Sequence, residues 1–133
     1  MQEDTIAAIA TAIGEGSVGI VRVSGEMAQS IGEKLVRTPS GRPLRLARRT
    51  MRYGHVVQPG SDDPLDEAIV LWMPGPHSYT GEDVLELQVH GGVHVLQSVL
   101  AACLAAGARM AEPGSLRNVH FSMGGWTCRK PKP

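Results

Sequence analysis

Between Asp83 and Ala106 the chain changes its hydrophobic period across two glycines, and that switch limits the fold more than any other feature of the sequence. DVLELQVH, from Asp83 to His90, alternates apolar and polar side chains and reads as a strand with one buried face. Gly91 and Gly92 end it. Val93 to Ala106 then reads as a helix closed by Gly107. A domain built around such a step must mix strands and helices.

The rest of the chain agrees. TIAAIAT (Thr5–Thr11) and VGIVRV (Val18–Val23) are short β-branched runs separated by the turn-forming IGEGS, and predict two strands. Ser24 and Gly25 open a helix whose apolar positions Met27, Ile31 and Leu35 repeat at helical spacing. Thr38 to Arg49, rich in Arg, Pro and Gly, has no clear period and is a connector. Met51–Val57 and Asp66–Met73 form a hairpin across PGSDDP. PGPHSYTG, from Pro74 to Gly81, is irregular because two prolines and two glycines break it. Arg109 to Ala111 adds a last short strand. The fold class is α+β (mixed α/β), one mixed sheet with two main helices, near 26–35 and 93–106.

At 133 residues the chain suits one core. Thirteen basic residues balance thirteen acidic ones, so no global field draws it onto nucleic acid or an acidic membrane surface. The two cysteines, Cys103 and Cys128, form no CxxC and fit a reducing cytosol. Glu3 and Asp4 stand where an export signal has basic residues, and Val93–Ala106 is too short to span a bilayer. The expectation is a cytoplasmic protein with no membrane partner.

Five features are candidates for chemistry. IGEGSVG follows a strand, but it lacks the third glycine and following helix of a dinucleotide fingerprint and the GK[ST] ending of a P-loop. A hairpin turn is the better reading. Arg22 interrupts a run of Val, Gly and Ile, where a buried arginine needs an anionic or carbonyl partner; the plain alternative is an exposed arginine on a polar strand face. Glu86 poses the same question with the opposite sign. Its carboxylate suits two parallel N–H bonds from a guanidine-like edge, such as a pterin or guanine carries, or else it faces solvent. His90 and His94 have the spacing of helical metal ligands, but Gly91 and Gly92 place them on different elements and no third ligand is near. The arginines at 37, 42, 45, 48, 49 and 52 make a solvated connector, since no aromatic residues are interleaved to stack bases. Residue by residue, the reading stops at an Arg and a Glu that share a polar pocket.

Longer strings go further. DTIAAIAT, GIVRVSG, PGPHSYTGEDVLELQVHGG and GARMAEPG occur in this order, from Asp4 to Gly114, and together resemble the N-terminal domain of the MnmE/TrmE tRNA-modification GTPases. The resemblance implies a fold similar to tetrahydrofolate-dependent aminomethyltransferases, a homodimer, and a 5-formyl- or methylene-tetrahydrofolate bound as one-carbon source. It implies a flavoprotein partner of the MnmG/GidA type, and action of the complete complex on carbon 5 of the wobble uridine in tRNA. Its folate ligands map onto Arg22 and Glu86. GTP and its metal ions are implied only for a G domain, whose motifs this sequence does not contain, so the chain is not expected to catalyse alone. Readings from other classes are a stand-alone folate-dependent aminomethyltransferase-like protein and a folate-independent interaction fragment.

Two departures from the family pattern stand out. The loop AIGEGS replaces PPGRGG, putting Glu15 where the family has a basic residue. After Gly114 the family continues EFTxRAFLNGRLDLxQAEA, which carries another folate ligand, whereas this chain reads SLRNVHFSMGGWTCRKPKP. From Val119 on, joining the last base of each codon to the first two of the next permits AFLNGRMDL, one Ser or Pro, then QAEA. The glycine and the aspartate are forced, because Met and Trp have single codons. The expected organisation is therefore a folate-binding and dimerisation domain over 1–114 and an unstructured, out-of-frame tail over 115–133.

Overall fold

The computed structural model describes residues 5–10, 18–76, 78 and 81–111, together with the backbone of 120–122 and 125–127. Seven strands form one sheet: β1 (Ile6–Ile9), β2 (Gly19–Ser24), β3 (Val36–Arg37), β4 (Thr50–Val57), β5 (Pro64–Met73), β6 (Val84–Val89) and β7 (Arg109–Met110). Their order is β3-β4-β5-β6-β2-β1-β7. Neighbours run antiparallel except β1 and β7, which are parallel, so the sheet is mixed. Helix α1 (Ala28–Leu35) follows β2, and α2 (Val93–Ala105) joins β6 to β7.

Both helices lie on one face. A Cβ on Gly32 of α1 would meet Leu85 of β6, and one on Gly19 of β2 would meet Leu96 of α2. Leu85, Leu87 and Val89 pair with Val23, Val21 and Gly19, so these contacts fall on the same side of the sheet. There Ala7, Val21, Val23, Val70, Trp72, Leu85, Leu87, Ile31, Leu35, Leu96 and Val99 close into the main core. The glycines around β6 are used as the sequence implies: Gly92 precedes α2 at φ 96° and Gly107 follows it at φ 127°, a region that an L side chain rarely adopts.

Local differences from the sequence reading have physical causes. Met27 is half exposed rather than part of the helical stripe, because α1 begins at Ala28; the Met27 N–H donates to Thr5 Oγ1 at 2.9 Å. The connector contributes to the core, since Leu44 and Leu46 are fully buried. Leu44 N–H bonds to the Val36 carbonyl, and Leu46 N–H to Glu33 Oε2. β3 has only two residues, too few for a periodic signal. β6 is not a strand with one buried face: Val84, Leu85, Glu86, Leu87 and Val89 are all buried, with the helices packed on the Leu85 and Leu87 side and Glu86 paired with Arg22 of the neighbouring strand on the other.

β1 and β2 pair as the expected hairpin, with Ala10 N–H bonded to the Ile20 carbonyl at 2.7 Å. The turn reading for IGEGS, and Glu15 with it, lie outside the described residues. Beyond Glu112 the sequence pattern predicts no regular element, yet His120–Ser122 (β8) and Gly125–Thr127 (β9) pair antiparallel in a two-stranded sheet of their own. In that register the backbone of Phe121 stands opposite that of Trp126. The side chains of 112–133 lie outside the described residues. Among the described residues, no helix is long and apolar enough to cross a membrane.

Candidate functional site

On the helix-free face the register sets Arg22 of β2 directly opposite Glu86 of β6. Directly opposed side chains on antiparallel strands have Cβ atoms about 5 Å apart, so a long cation and a carboxylate meet without strain. Arg22 Nε donates to Glu86 Oε2 at 2.9 Å, and Nη2 donates to the same oxygen. The other carboxylate oxygen, Oε1, accepts from Gln88 Nε2 at 3.0 Å. Arg22 is 7 % exposed and Glu86 4 %.

That burial decides between the readings left open by the sequence. Neither residue is a solvent-facing strand residue. Taking a guanidinium and a carboxylate out of water carries a desolvation penalty of several kcal/mol per ion, offset only by close, well-bonded pairing. Two donors on Oε2 and one on Oε1 supply it. The resemblance places the two residues on separate parts of one ligand; the structure brings them into contact with each other.

The surroundings are polar on one side and apolar on the other. Ser24, on the same face as Arg22, donates from Oγ to Glu82 Oε1 at 3.1 Å. Glu86 and Gln88 are followed on β5 by Leu71 and Ile69, then on β4 by Met51 and Tyr53. Met51 is 68 % exposed, so the row that is closed at Arg22 and Glu86 opens toward β4. Gln88 is a member of the site that sequence reasoning passed over. The signal was present, because E-x-Q on a strand puts both side chains on one face.

The remaining candidates do not join this group. His90 gives its backbone N–H to Asp66 Oδ2, and among the described residues no three of His, Cys, Asp and Glu gather as metal ligands. Arg37 pairs with Asp62 at the far sheet edge, at 3.3 Å, while Arg42, Arg45, Arg48, Arg49 and Arg52 are exposed. An open groove of about 350 Å³ beside His55, Pro64, Leu65, Asp66 and Glu67 touches neither Arg22 nor Glu86. Burial pushes the Cys103 thiol up to about 12, which leaves it protonated and inert at neutral pH.

The family described as GTP-binding protein TrmE N-terminus matches residues 5–124, nearly the whole chain. The chain belongs to the TrmE N-terminal family. This α+β sheet with two helices is thus a TrmE N-terminal domain, and similar sequences carry a consistent name. A tRNA modification GTPase MnmE of Symbiobacterium thermophilum is 54% identical over 125 residues, covering 93% of this chain and 27% of that protein. One from Chloroflexus aurantiacus is 52% identical over 111 residues (84% of this chain, 24% of that protein). One from Shouchella clausii is 44% identical over 131 residues (93% and 27%). The chain spans about a quarter of the length of these relatives.

Proposed function

We propose that this TrmE N-terminal domain binds a reduced folate, a 5-formyl- or methylene-tetrahydrofolate, at Arg22 and Glu86, and dimerises. In this reading it serves a cytoplasmic tRNA-modification GTPase that acts with a flavoprotein on carbon 5 of the wobble uridine. The observation that carries it is the buried Arg22–Glu86 pair, two charges held together at the positions the family resemblance assigns to the ligand.

The donor set fits such a ligand. A pterin edge is a planar fork of N–H donors, as a guanidinium is. Glu86 therefore exchanges one fork for another and keeps its hydrogen bonds when Arg22 yields it, while Arg22 becomes available to an anionic part of the ligand. The bound folate would supply the one-carbon unit; the side chains bind and orient it. For dimerisation the support is the apolar row Met51, Tyr53 and Ile69, exposed on the same helix-free face.

The domain reading is folate-binding over 1–114 and an out-of-frame tail over 115–133. Its support is the genetic-code reconstruction, and β8 and β9 pair only with each other among the described strands. The family match continues to residue 124, so the frame change on this reading falls inside the matched span.

The test is a titration of 5-formyltetrahydrofolate into this chain and into a frame-restored chain. Restoring the lost ligand residue adds a charge-assisted hydrogen bond of about 1.5–3 kcal/mol, so affinity rises by roughly tenfold to a hundredfold. Equal affinity of the two chains, and of a Glu86→Gln variant of either, defeats the placement of the site.

A further inference from the structure

The two oxygens of Glu86 are held by different partners. Arg22 places two N–H donors on Oε2, which fills the two acceptor directions of that oxygen. Contact through a single oxygen leaves the carboxylate plane free to turn, because the last side-chain torsion of a glutamate is broad. The bond from Gln88 Nε2 to Oε1, 3.0 Å long, removes that freedom. Its polarity is fixed by chemistry, since a carboxylate only accepts and the amide must turn its NH2 toward it.

Gln88 stands opposite Ile20 on β2 and Ile69 on β5, so its cross-strand neighbours offer no side-chain partner. Its hydrogen bond runs along its own strand, two residues back. Gln88 is half-buried, so that bond is partly shielded from water.

We infer that Gln88 is a positioning residue of the proposed folate site, holding the Glu86 carboxylate in the orientation in which it meets the ligand's N–H edge. The inference rests on the folate reading, and two independent measurements separate the fate of each. Gln88→Leu removes the amide and suits a position flanked by isoleucines. In the chain as it stands, with 5-formyltetrahydrofolate as the probe, Gln88→Leu weakens binding on the order of tenfold while the urea midpoint stays near that of the unaltered chain. The loss disappears in a Glu86→Gln background, because Gln88 acts only through the carboxylate. Gln88→Glu, which sets a second carboxylate against the first, weakens binding more than Gln88→Leu does.

Without ligand, hydrogen exchange of the Arg22 Nε–H, followed by NMR, speeds up several-fold in Gln88→Leu. Full affinity in Gln88→Leu alongside lost affinity in Glu86→Gln overturns the role of Gln88 and leaves the folate reading standing. No difference between the unaltered chain and Glu86→Gln, including no binding by either, overturns the folate reading. Unchanged Arg22 exchange overturns the positioning whatever the ligand does.

Discussion

Across the helix face of the sheet, one row runs Ala7, Val23, Leu85, Trp72, and every member is buried. One residue along, on the opposite face, the row runs Ala8, Arg22, Glu86, Leu71, Met51, from a closed ion pair to a methionine 68 % exposed. The same strands therefore serve two purposes. Apolar burial is non-directional, so the first row needs only side chains of suitable volume beneath α1 and α2. The second row places two charges where water is excluded, an arrangement that contributes little net stability for its desolvation penalty. Such a pair on an otherwise ordinary sheet marks the face where recognition is expected.

The contrast breaks most readily at the residues whose loss costs the most. Trp72→Ala removes a fully packed ring from the helix face and is expected to lower stability by about 3–5 kcal/mol in urea unfolding. Arg22→Ala strands the Glu86 carboxylate and is expected to lose about 3–5 kcal/mol as well, for an electrostatic reason. If Arg22→Ala proved mild, the pair would be wetter than its burial indicates. Gly32→Ala is intermediate: the new Cβ would lie 2.6 Å from Leu46 Cδ1 and 3.0 Å from Leu85 Cδ2, an overpacking cost of about 1–3 kcal/mol. Thr5→Val deletes the acceptor for the Met27 N–H at the start of α1 and should remove about 1 kcal/mol. Smallest of all, Met51→Ala on the open face should stay within about 0.5 kcal/mol, and a loss as large as that of Trp72→Ala would erase the distinction between the faces.

The sequence disclosed the helix face more fully than the other. Alternation in β6 and the helical repeats of α1 and α2 depend on local period, and local period is what a single sequence displays. The last short strand, read at Arg109 to Ala111, is β7 (Arg109–Met110). The short β3, and the burial of Leu44 and Leu46 in an arginine-rich connector, depend on packing between distant segments and leave no period to read. At the site, Arg22 and Glu86 stand out as charges in apolar runs, but that pattern alone favours solvent-facing positions, and the longer family strings are what mark them as ligand positions. That they are each other's partner is a matter of register, set by how β2 and β6 align across 64 residues of chain. The strand period sets Gln88 on the face of Glu86 but does not make it a site residue, because an exposed glutamine and a positioning glutamine have the same spacing.

The central claim is that the helix face holds the fold while the Arg22–Glu86 pair holds the ligand. The double replacement Arg22→Met with Glu86→Leu separates the two most directly, because apolar side chains of similar volume in place of a buried ion pair are often neutral or stabilising by about 1–4 kcal/mol. The measurement is a urea unfolding curve together with ligand-observed NMR titration of 5-formyltetrahydrofolate on the same double variant. The account predicts an unfolding midpoint equal to or above that of the unaltered chain, with folate binding gone. Folate binding that survives the double replacement at unchanged affinity would contradict it.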